Sequence, residues 1–337
     1  MGVTIKDVAR RTGLSVTTVS LVLNKKESRI SERTRQLVES AAQELNYTPN
    51  QTAVSLATKR TRVIGLLLPE SGYYYYADLI HSVESACRNA DYFLTLSIAG
   101  LDEEQLVGQM VNLVHHQVDG LILDPSSLGE DADSCLEVLE QLKLPVVLLG
   151  CVNAQLLPNS IVPAHRQGGY LAVSHLLKLG HRQVGCVCGP LSCTAAADFL
   201  RGYREALEEY GLPFREELVQ EGAYSWELGA TALGELRRQG ITAIAAGSDI
   251  IAWGICRAAR RMGLSVPEDL SVTGYGDTAV SAGMEVPLTS VSVHFDRIAR
   301  KAVNLIRHRE GQQNLLLSPE TITPTLIRRE STRKLVL

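Results

Sequence analysis

The chain has 337 residues, 45% of them apolar and 21% charged, with a formal net charge of −4. At roughly 100–200 residues per domain, this length predicts two or three folding units with sizeable cores. No apolar run of about 18 residues is present to span a membrane. The N-terminal stretch lacks a basic segment followed by an apolar one, so no signal peptide is expected and the cytoplasm is the expected compartment.

Thr4-Ile5-Lys6-Asp7 has the spacing of a capping box, and Ile5, Val8 and Ala9 share one face of a helix predicted over about 5–12. Gly13-Leu14 breaks that helix. Ser15 caps a second one, which runs through Val19, Val22 and Leu23 to about Asn24. Residues 25–30 read as a polar loop. Ser31 caps a third helix over 32–46 with Val38, Ala41, Ala42 and Leu45 inward, and Pro49 ends it. Two short helices joined by a Gly-containing turn and completed by a third follow the helix-turn-helix design. The same pattern serves a three-helix protein-binding module.

If the target is DNA, the N-terminal residues of the second helix face base edges in the major groove. Here these are Val16, Thr17, Thr18 and Leu21. Val16 suits a thymine methyl group, and Thr17 suits a base or a phosphate. Thr4, Ser15, Ser20, Asn24, Arg29 and Ser31 suit phosphate contacts, which position without specifying. Charge agrees with this assignment: residues 1–60 hold ten Lys/Arg and five Asp/Glu, leaving −9 on the rest. A basic head on an acidic body fits a head that meets polyanions.

These residues carry a resemblance. Val3-Thr4-Ile5-Lys6-Asp7-Val8-Ala9, Gly13-Leu14-Ser15-Val16-Thr17-Thr18-Val19-Ser20, Leu23-Asn24, Ile30-Ser31-Glu32-Arg33-Thr34-Arg35 and Glu44-Leu45-Asn46-Tyr47-Thr48-Pro49-Asn50 are similar to the headpiece of the lactose-repressor (LacI/GalR) family. The match is long and ordered, and it extends over essentially the whole chain. With Leu21 where many relatives carry Arg, the second helix also resembles the maltose-regulon repressor subgroup.

The stretch Asn50-Gln51-Thr52-Ala53-Val54-Ser55-Leu56-Ala57 is too short to be a stable isolated helix, and by pattern alone it is a linker. The resemblance implies a hinge helix that folds on operator DNA and pairs with its dimer mate in the minor groove. The residue matching Leu56 then wedges into the central base step. Asn50 and Ala53 belong to the same contact surface.

Beyond residue 60, apolar strands predicted at 63–68, 92–98, 120–123 and 145–149 alternate with helices at 78–89, 103–117 and 134–142. The pattern restarts after Ile161. Strands at 183–187, 218–221, 243–246 and 271–275 then alternate with helices at 167–179, 195–210, 226–238 and 250–262. Such alternation means parallel sheets built from right-handed βαβ units. Two halves make two lobes, with a ligand between them at the carboxyl ends of the strands.

The resemblance adds landmarks at Val118-Asp119-Gly120, His175 to Arg182, Gly202-Tyr203-Arg204, Pro287-Leu288-Thr289 and Arg328-Arg329-Glu330-Ser331-Thr332. It implies the α/β fold of periplasmic sugar-binding proteins and three chain crossings between lobes. The expected organisation is a headpiece over 1–49, a hinge over 50–60 and a two-lobed body over 61–337. Lobe 1 is expected to take 61–161 and 290–320, and lobe 2 to take 162–289 and 321–337. A homodimer is the expected assembly, since the heptad-repeat tail that makes the lactose repressor tetrameric has no counterpart here.

In the cleft the chain departs from its relatives. Sugar- and purine-sensing members place Arg where this chain has Phe199, and Asp where it has Gly276, with Asp277 following. Both polar clamps on a ligand's hydroxyls are therefore replaced. Tyr224 and the Ser248-Asp249 pair remain as candidate effector contacts. The run Tyr73 to Tyr76, expected in the loop after the first strand, supplies Tyr73, Tyr75 and Tyr76 either to the cleft or to local packing. Three effector readings stay open: a small molecule unlike a free hexose, a sugar held differently, and a cleft that has lost regulation. A partner protein acting on the body is a further alternative.

Gly-x-Ser-x-Gly, Gly-x-x-x-x-Gly-Lys-[Ser/Thr] and His-Glu-x-x-His are absent from the sequence, so no enzyme, cofactor or metal site is expected. His115-His116 is an adjacent pair whose rings point apart on a helix. The seven cysteines, at 87, 135, 151, 186, 188, 193 and 256, are odd in number and scattered, as reduced buried thiols would be.

If Leu56 is the wedge, Leu56→Ala weakens a specific operator complex by roughly tenfold or more and leaves non-specific binding nearly unchanged. Competition binding with operator and random duplex checks this; equal loss on both removes the wedge.

Overall fold

The computed structural model describes residues 3–23, 30–48, 55–56, 60–70, 73–100, 102–125, 133–142, 144–150, 160–308 and 319–335. Asn24, Arg29, Asn50 and Ala53, all expected to meet DNA, lie outside the described residues, as does the side chain of Tyr73. Contacts divide the chain into two compact units, Met1–Arg62 and Val63–Leu337.

The first unit holds α1 (Ile5–Thr12), α2 (Val16–Leu23) and α3 (Glu32–Glu44). Val8 and Ala9 of α1, Val19 and Val22 of α2, and Val38, Ala41 and Ala42 of α3 form its buried core. Each helix presents its apolar residues at three- and four-residue spacing, so three short helices bury one another where none would be stable alone.

In chain order the second unit begins β1 (Val63–Pro69), α4 (Tyr73–Asn89), β2 (Phe93–Ala99), α5 (Glu103–His115), β3 (Gly120–Leu123), α6 (Asp133–Gln141), β4 (Val146–Leu149) and β5 (Ser160–Pro163). It continues α7 (His165–Lys178), β6 (Val184–Cys188), α8 (Thr194–Glu209), β7 (Val219–Glu221), α9 (Trp226–Arg238), β8 (Ala243–Ala246), α10 (Asp249–Arg261), β9 (Ser271–Gly276) and α11 (Ala279–Gly283). It ends β10 (Thr289–Ser292), α12 (Phe295–His308), β11 (Glu320–Ile322) and β12 (Thr325–Ile327).

One six-stranded sheet has the order β2-β1-β3-β4-β5-β11, and the other has β7-β6-β8-β9-β10-β12. The central strands are apolar throughout, as burial by helices on both faces requires. In the first lobe, α4 and α12 pack on one face and α5 and α6 pack together on the other. In the second, α7 with α8 and α9 with α10 do the same. α12 buries Phe295, Ile298, Ala299, Ala302, Val303 and Ile306, a continuous stripe at helical spacing.

Three details differ from the expectations. Among the described residues, all strand pairs are parallel except β10 with β12. β11 leaves the first sheet at its carboxyl end, so the chain enters the second lobe from the cleft side and β12 must run against β10. The crossings also fall a few residues later than expected. β5 stays in the first sheet to Pro163, β10 belongs to the second to Ser292, and β11 carries the first to Ile322. Each strand is completed before the chain leaves its lobe. Finally, the tyrosine run is not loop but the first turn of α4. Aromatic residues have modest helix propensity, and here packing decides, because Tyr75 and Tyr76 both find ring partners.

The C-terminal segment stitches the second lobe together. Buried Ser331 donates through Oγ to the Val272 carbonyl at 2.6 Å and accepts from the Thr289 amide at 2.8 Å. His175 Nε2 lies 3.0 Å from Thr332 Oγ1. Both ring nitrogens of buried His181 are engaged, with Thr242 Oγ1 at 2.8 Å and Ser271 Oγ at 3.1 Å. Among the described residues, no helix is long and apolar enough to cross a membrane, and six cysteines carry free thiols.

Burial, with Arg328 and Lys178 nearby, pushes His175 down to about 4. Its neutral form therefore stabilises the fold fully above the unfolded value near 6.5, and that contribution is lost as pH falls toward 4. The unfolding midpoint should drop on acidification from pH 7 to 5, and His175→Gln should flatten that slope. A thermal-melt series at stepped pH checks it.

Candidate functional site

The reading surface is built from caps. The Thr4 amide and hydroxyl donate to Asp7 Oδ2 at 3.0 and 2.7 Å, which starts α1. Gly13, at φ 70°, closes α1 in the left-handed region and turns the chain into α2. Ser15 Oγ accepts from the Thr18 amide at 3.1 Å and lies 2.8 Å from Thr18 Oγ1. Ser31 does the same for α3, accepting from the Thr34 amide at 3.2 Å.

Thr4, Ser15, Thr18 and Ser31, expected to touch DNA, thus first serve as helix starters, with Thr4, Ser15 and Ser31 remaining exposed. The capped start of α2 leaves Val16 and Thr17 outward, while Val19 and Val22 enter the core. Ser20 and Leu21 are half-buried. Leu56 is 79% exposed, a large apolar side chain held in water.

The second site lies where the carboxyl ends of both sheets meet. Tyr76 is buried and donates from its hydroxyl to Asp124 Oδ2 at 2.9 Å, at the end of β3. Tyr75 packs edge-on against Tyr76, with centroids 5.5 Å apart, and against Phe295 at 4.8 Å. Burial pushes its phenol up, with Asp124 of its own lobe and Cys193 of the other adding to the rise.

On the second lobe, Phe199 is buried and meets Tyr275 edge-on at 5.5 Å. The Tyr275 hydroxyl lies 2.7 Å from His165 Nδ1, and burial holds that imidazole neutral by pushing it down to about 4. Burial also pushes the Tyr224 and Tyr275 phenols up, and the neighbouring Tyr75 adds to both. Cys193 and Cys188 beside Tyr224 add to the rise of its phenol. The lobes touch directly, with the Ala279 amide donating to Asp78 Oδ2 at 2.8 Å.

The carboxylates expected to face an effector turn inward instead. Asp249, at the start of α10, is 1% exposed. It accepts from the Thr278 amide and hydroxyl at 2.7 and 2.9 Å and from Ser290 Oγ at 2.5 Å. Burial outweighs those donors and pushes its carboxyl up to about 6. Ser248 spends its Oγ on capping α10, accepting from the Ile251 amide at 3.3 Å. Asp277 pairs with Arg329 at 2.7 Å.

Gly276, with φ 118°, occupies a conformation that side-chain-bearing residues rarely adopt. A Cβ there would stand 3.5 Å from Asp249 Oδ2 and 3.7 Å from the Tyr75 ring. The structure therefore brings Tyr75, Tyr76, Phe199, Tyr224 and Gly276 to the lobe junction and draws Ser248, Asp249 and Asp277 into the frame of the second lobe. Sequence reasoning missed Asp124, His165 and Tyr275. Asp124 carried a visible signal, a carboxylate directly after a buried strand; His165 carried none.

Residues 4–50 match the family model described as bacterial regulatory proteins, lacI family, and residues 173–332 match a periplasmic binding protein-like domain. The chain is 36% identical over 341 residues to the HTH-type transcriptional repressor PurR of Haemophilus influenzae (strain PittEE), with 99% of each chain covered. It is 34% identical over 334 residues to the HTH-type transcriptional regulator DegA of Bacillus subtilis (strain 168), covering 96% of this chain and 97% of that one. The crystal structure of the Lac repressor dimer bound to operator and the anti-inducer ONPF superimposes with a TM-score of 0.82 at 29% identity, over 99% of this chain and 100% of that one.

A carboxyl raised in the fold from 3.8 to about 6 contributes stability that is full below the unfolded value and is lost as pH rises through 6. Asp249→Asn should therefore steepen the acid loss of stability between pH 6 and 4. Asp249→Ala strands buried Ser290 and Thr278 donors and should cost roughly 3 kcal/mol at pH 7. Urea unfolding at stepped pH reads both.

Proposed function

Because the chain belongs to the lacI family of bacterial regulatory proteins, we propose that it is a sequence-specific DNA-binding transcriptional repressor whose operator affinity is controlled by a small molecule bound between its lobes. The observation that carries this reading is the union, in one chain, of two parts. One is a helix-turn-helix with Val16 and Thr17 outward at the start of its second helix. The other is a body of two sheeted lobes that touch where the Ala279 amide meets Asp78.

The working division is a reader over 1–49, a hinge over 50–60 and a sensor over 61–337. The reader contacts DNA through Val16, Thr17, Thr18, Ser20 and Leu21, with Thr4, Ser15, Asn24, Arg29, Ser31 and Asn50 on the backbone. Ala53 and Leu56 enter the minor groove. The effector meets Tyr75, Tyr76, Phe199 and Tyr224. The chain acts in the cytoplasm, as a regulator and not as an enzyme.

Function requires two copies, because one reader sees only half of a pseudo-palindromic site. The first lobe offers a surface for the second copy: edge strand β2 leaves Phe93, Leu96 and Ile98 exposed at 68%, 42% and 45%. Exposed apolar side chains on an unpaired sheet edge are a liability unless another chain covers them. Ligand binding changes how the lobes sit, and through them the spacing of the two hinges, so the effector acts by its differential affinity for two states.

The test is a selection. Full-length protein is incubated with sheared DNA of its own genome at near-physiological salt, and the retained fragments are sequenced. Enrichment of a few sites sharing an inverted repeat with a central pyrimidine–purine step is the expected result. Uniform weak retention that vanishes with salt, and that persists when the small-molecule fraction of the same cells is added, would mean electrostatic binding only and would overturn the reading.

A further inference from the structure

The cleft walls carry carboxylates and rings, and only the rings are available to a guest. A polyol is oriented by charged or bidentate partners that still have hydrogen-bonding capacity to offer. Asp249 already accepts from Thr278 and Ser290, Asp277 holds Arg329, and Asp124 accepts from Tyr76. An anion entering there would meet the carboxylates of Asp124 and Asp249 in a buried space, while Arg329 is tied to Asp277.

What the cleft does hold is a phenol, supplied by the chain itself. Tyr75 reaches from the first lobe toward the second, with its ring edge 3.7 Å from where a Cβ on Gly276 would stand. Its ring is gripped edge-to-face by Phe295 at 73° and Tyr76 at 83°, the geometry aromatic rings prefer. Tyr224 and Tyr275 of the second lobe lie near enough for Tyr75 to raise their phenols, and Phe199 packs edge-on against Tyr275. Tyr76 and Leu79 of the first lobe and Phe199, Tyr203 and Tyr275 of the second belong to one continuous buried cluster, against which Tyr75 packs.

Tyr75 lies in the first turn of α4, where backbone amides have no intrahelical partners. The ring leaves by rotation about its own side-chain torsions, which costs no backbone hydrogen bond of the helix.

We propose that the inter-lobe cleft is built for a flat, uncharged aromatic molecule with a hydroxyl-type tip, which takes the place of the Tyr75 ring between the lobes. This rests on the reading of the cleft as the effector site. The tethered phenol is the template: the surroundings that accept it accept a free ring of the same shape.

The experiment uses full-length protein and three probes, 4-methylphenol, D-glucose and maltose, titrated calorimetrically into wild type and Tyr75→Ala. A hole of the ring's shape, walled on one side by Phe295 and Tyr76, is matched to a small phenol as cavities left by removed side chains are to small aromatics. The variant should bind 4-methylphenol saturably, one per chain, and roughly tenfold or more tightly than wild type, a gain of about 1.4 kcal/mol or more. Neither protein should bind D-glucose or maltose.

A folded Tyr75→Ala, shown by circular dichroism and gel filtration, that binds 4-methylphenol no better than wild type overturns the proposal. So does saturable sugar binding by wild type. Should Tyr75→Ala not fold, Tyr75→Leu keeps most of the volume and should show a smaller gain in the same direction; no gain there counts against the proposal equally. A chain that shows the gain yet selects no operator supports the ligand class and overturns only the regulator reading.

Discussion

Parallel strands in both sheets deliver their carboxyl ends to one edge, and the chain changes lobes only there. The three crossings, after Pro163, Ser292 and Ile322, all leave from a strand end. This constraint sets the rest of the body. It makes β12 the one antiparallel strand of its sheet. It brings α4, α8, α10 and α11 to the junction at their N-terminal ends, and it gathers at the junction of the two lobes residues as far apart as Tyr75, Asp124, Phe199, Tyr224 and Tyr275. A ligand site at such an edge follows from connectivity.

At that edge, polar and aromatic groups divide the work. Carboxylates at the start of α10 and the end of β9 serve as internal acceptors, replacing water for Thr278, Ser290 and Arg329. Buried charge must be satisfied in this way, and once it is, little capacity remains for a guest. The rings have no such obligation. They pack edge-to-face with one another and place the hydroxyls of Tyr275 and Tyr76 against His165 and Asp124. Ring pairs and buried hydrogen bonds thus stiffen each lobe from within, while the Ala279 amide on Asp78 joins one lobe to the other.

The headpiece follows a different logic at smaller scale. Three short helices survive because each start is capped by its own Thr or Ser and each apolar stripe meets the other two. The same caps set which residues of α2 face outward. Ser15 and Thr18 hold the helix whose first turn leaves Val16 and Thr17 outward.

Local pattern sufficed for much of this. Capping residues, helical stripes and the strand–helix alternation located the three headpiece helices and eight of the twelve described strands of the body, all but β5, β10, β11 and β12, because those signals lie within a few residues of the element they make. The similarity of the headpiece to a known family was equally legible, being a matter of ordered residues. The direction of Asp249 and Asp277 was not, since their partners Ser290 and Arg329 are 41 and 52 residues away. Nor was the helical state of the tyrosine run, which depends on Phe295 and Asp124 and not on propensity, nor the role of His165, whose partner is 110 residues distant. Sequence determined which residues could bury, cap or read; the tertiary fold alone decided which acid met which hydroxyl and which ring closed the cleft, because those choices are made by contacts between segments that only the completed sheets bring together.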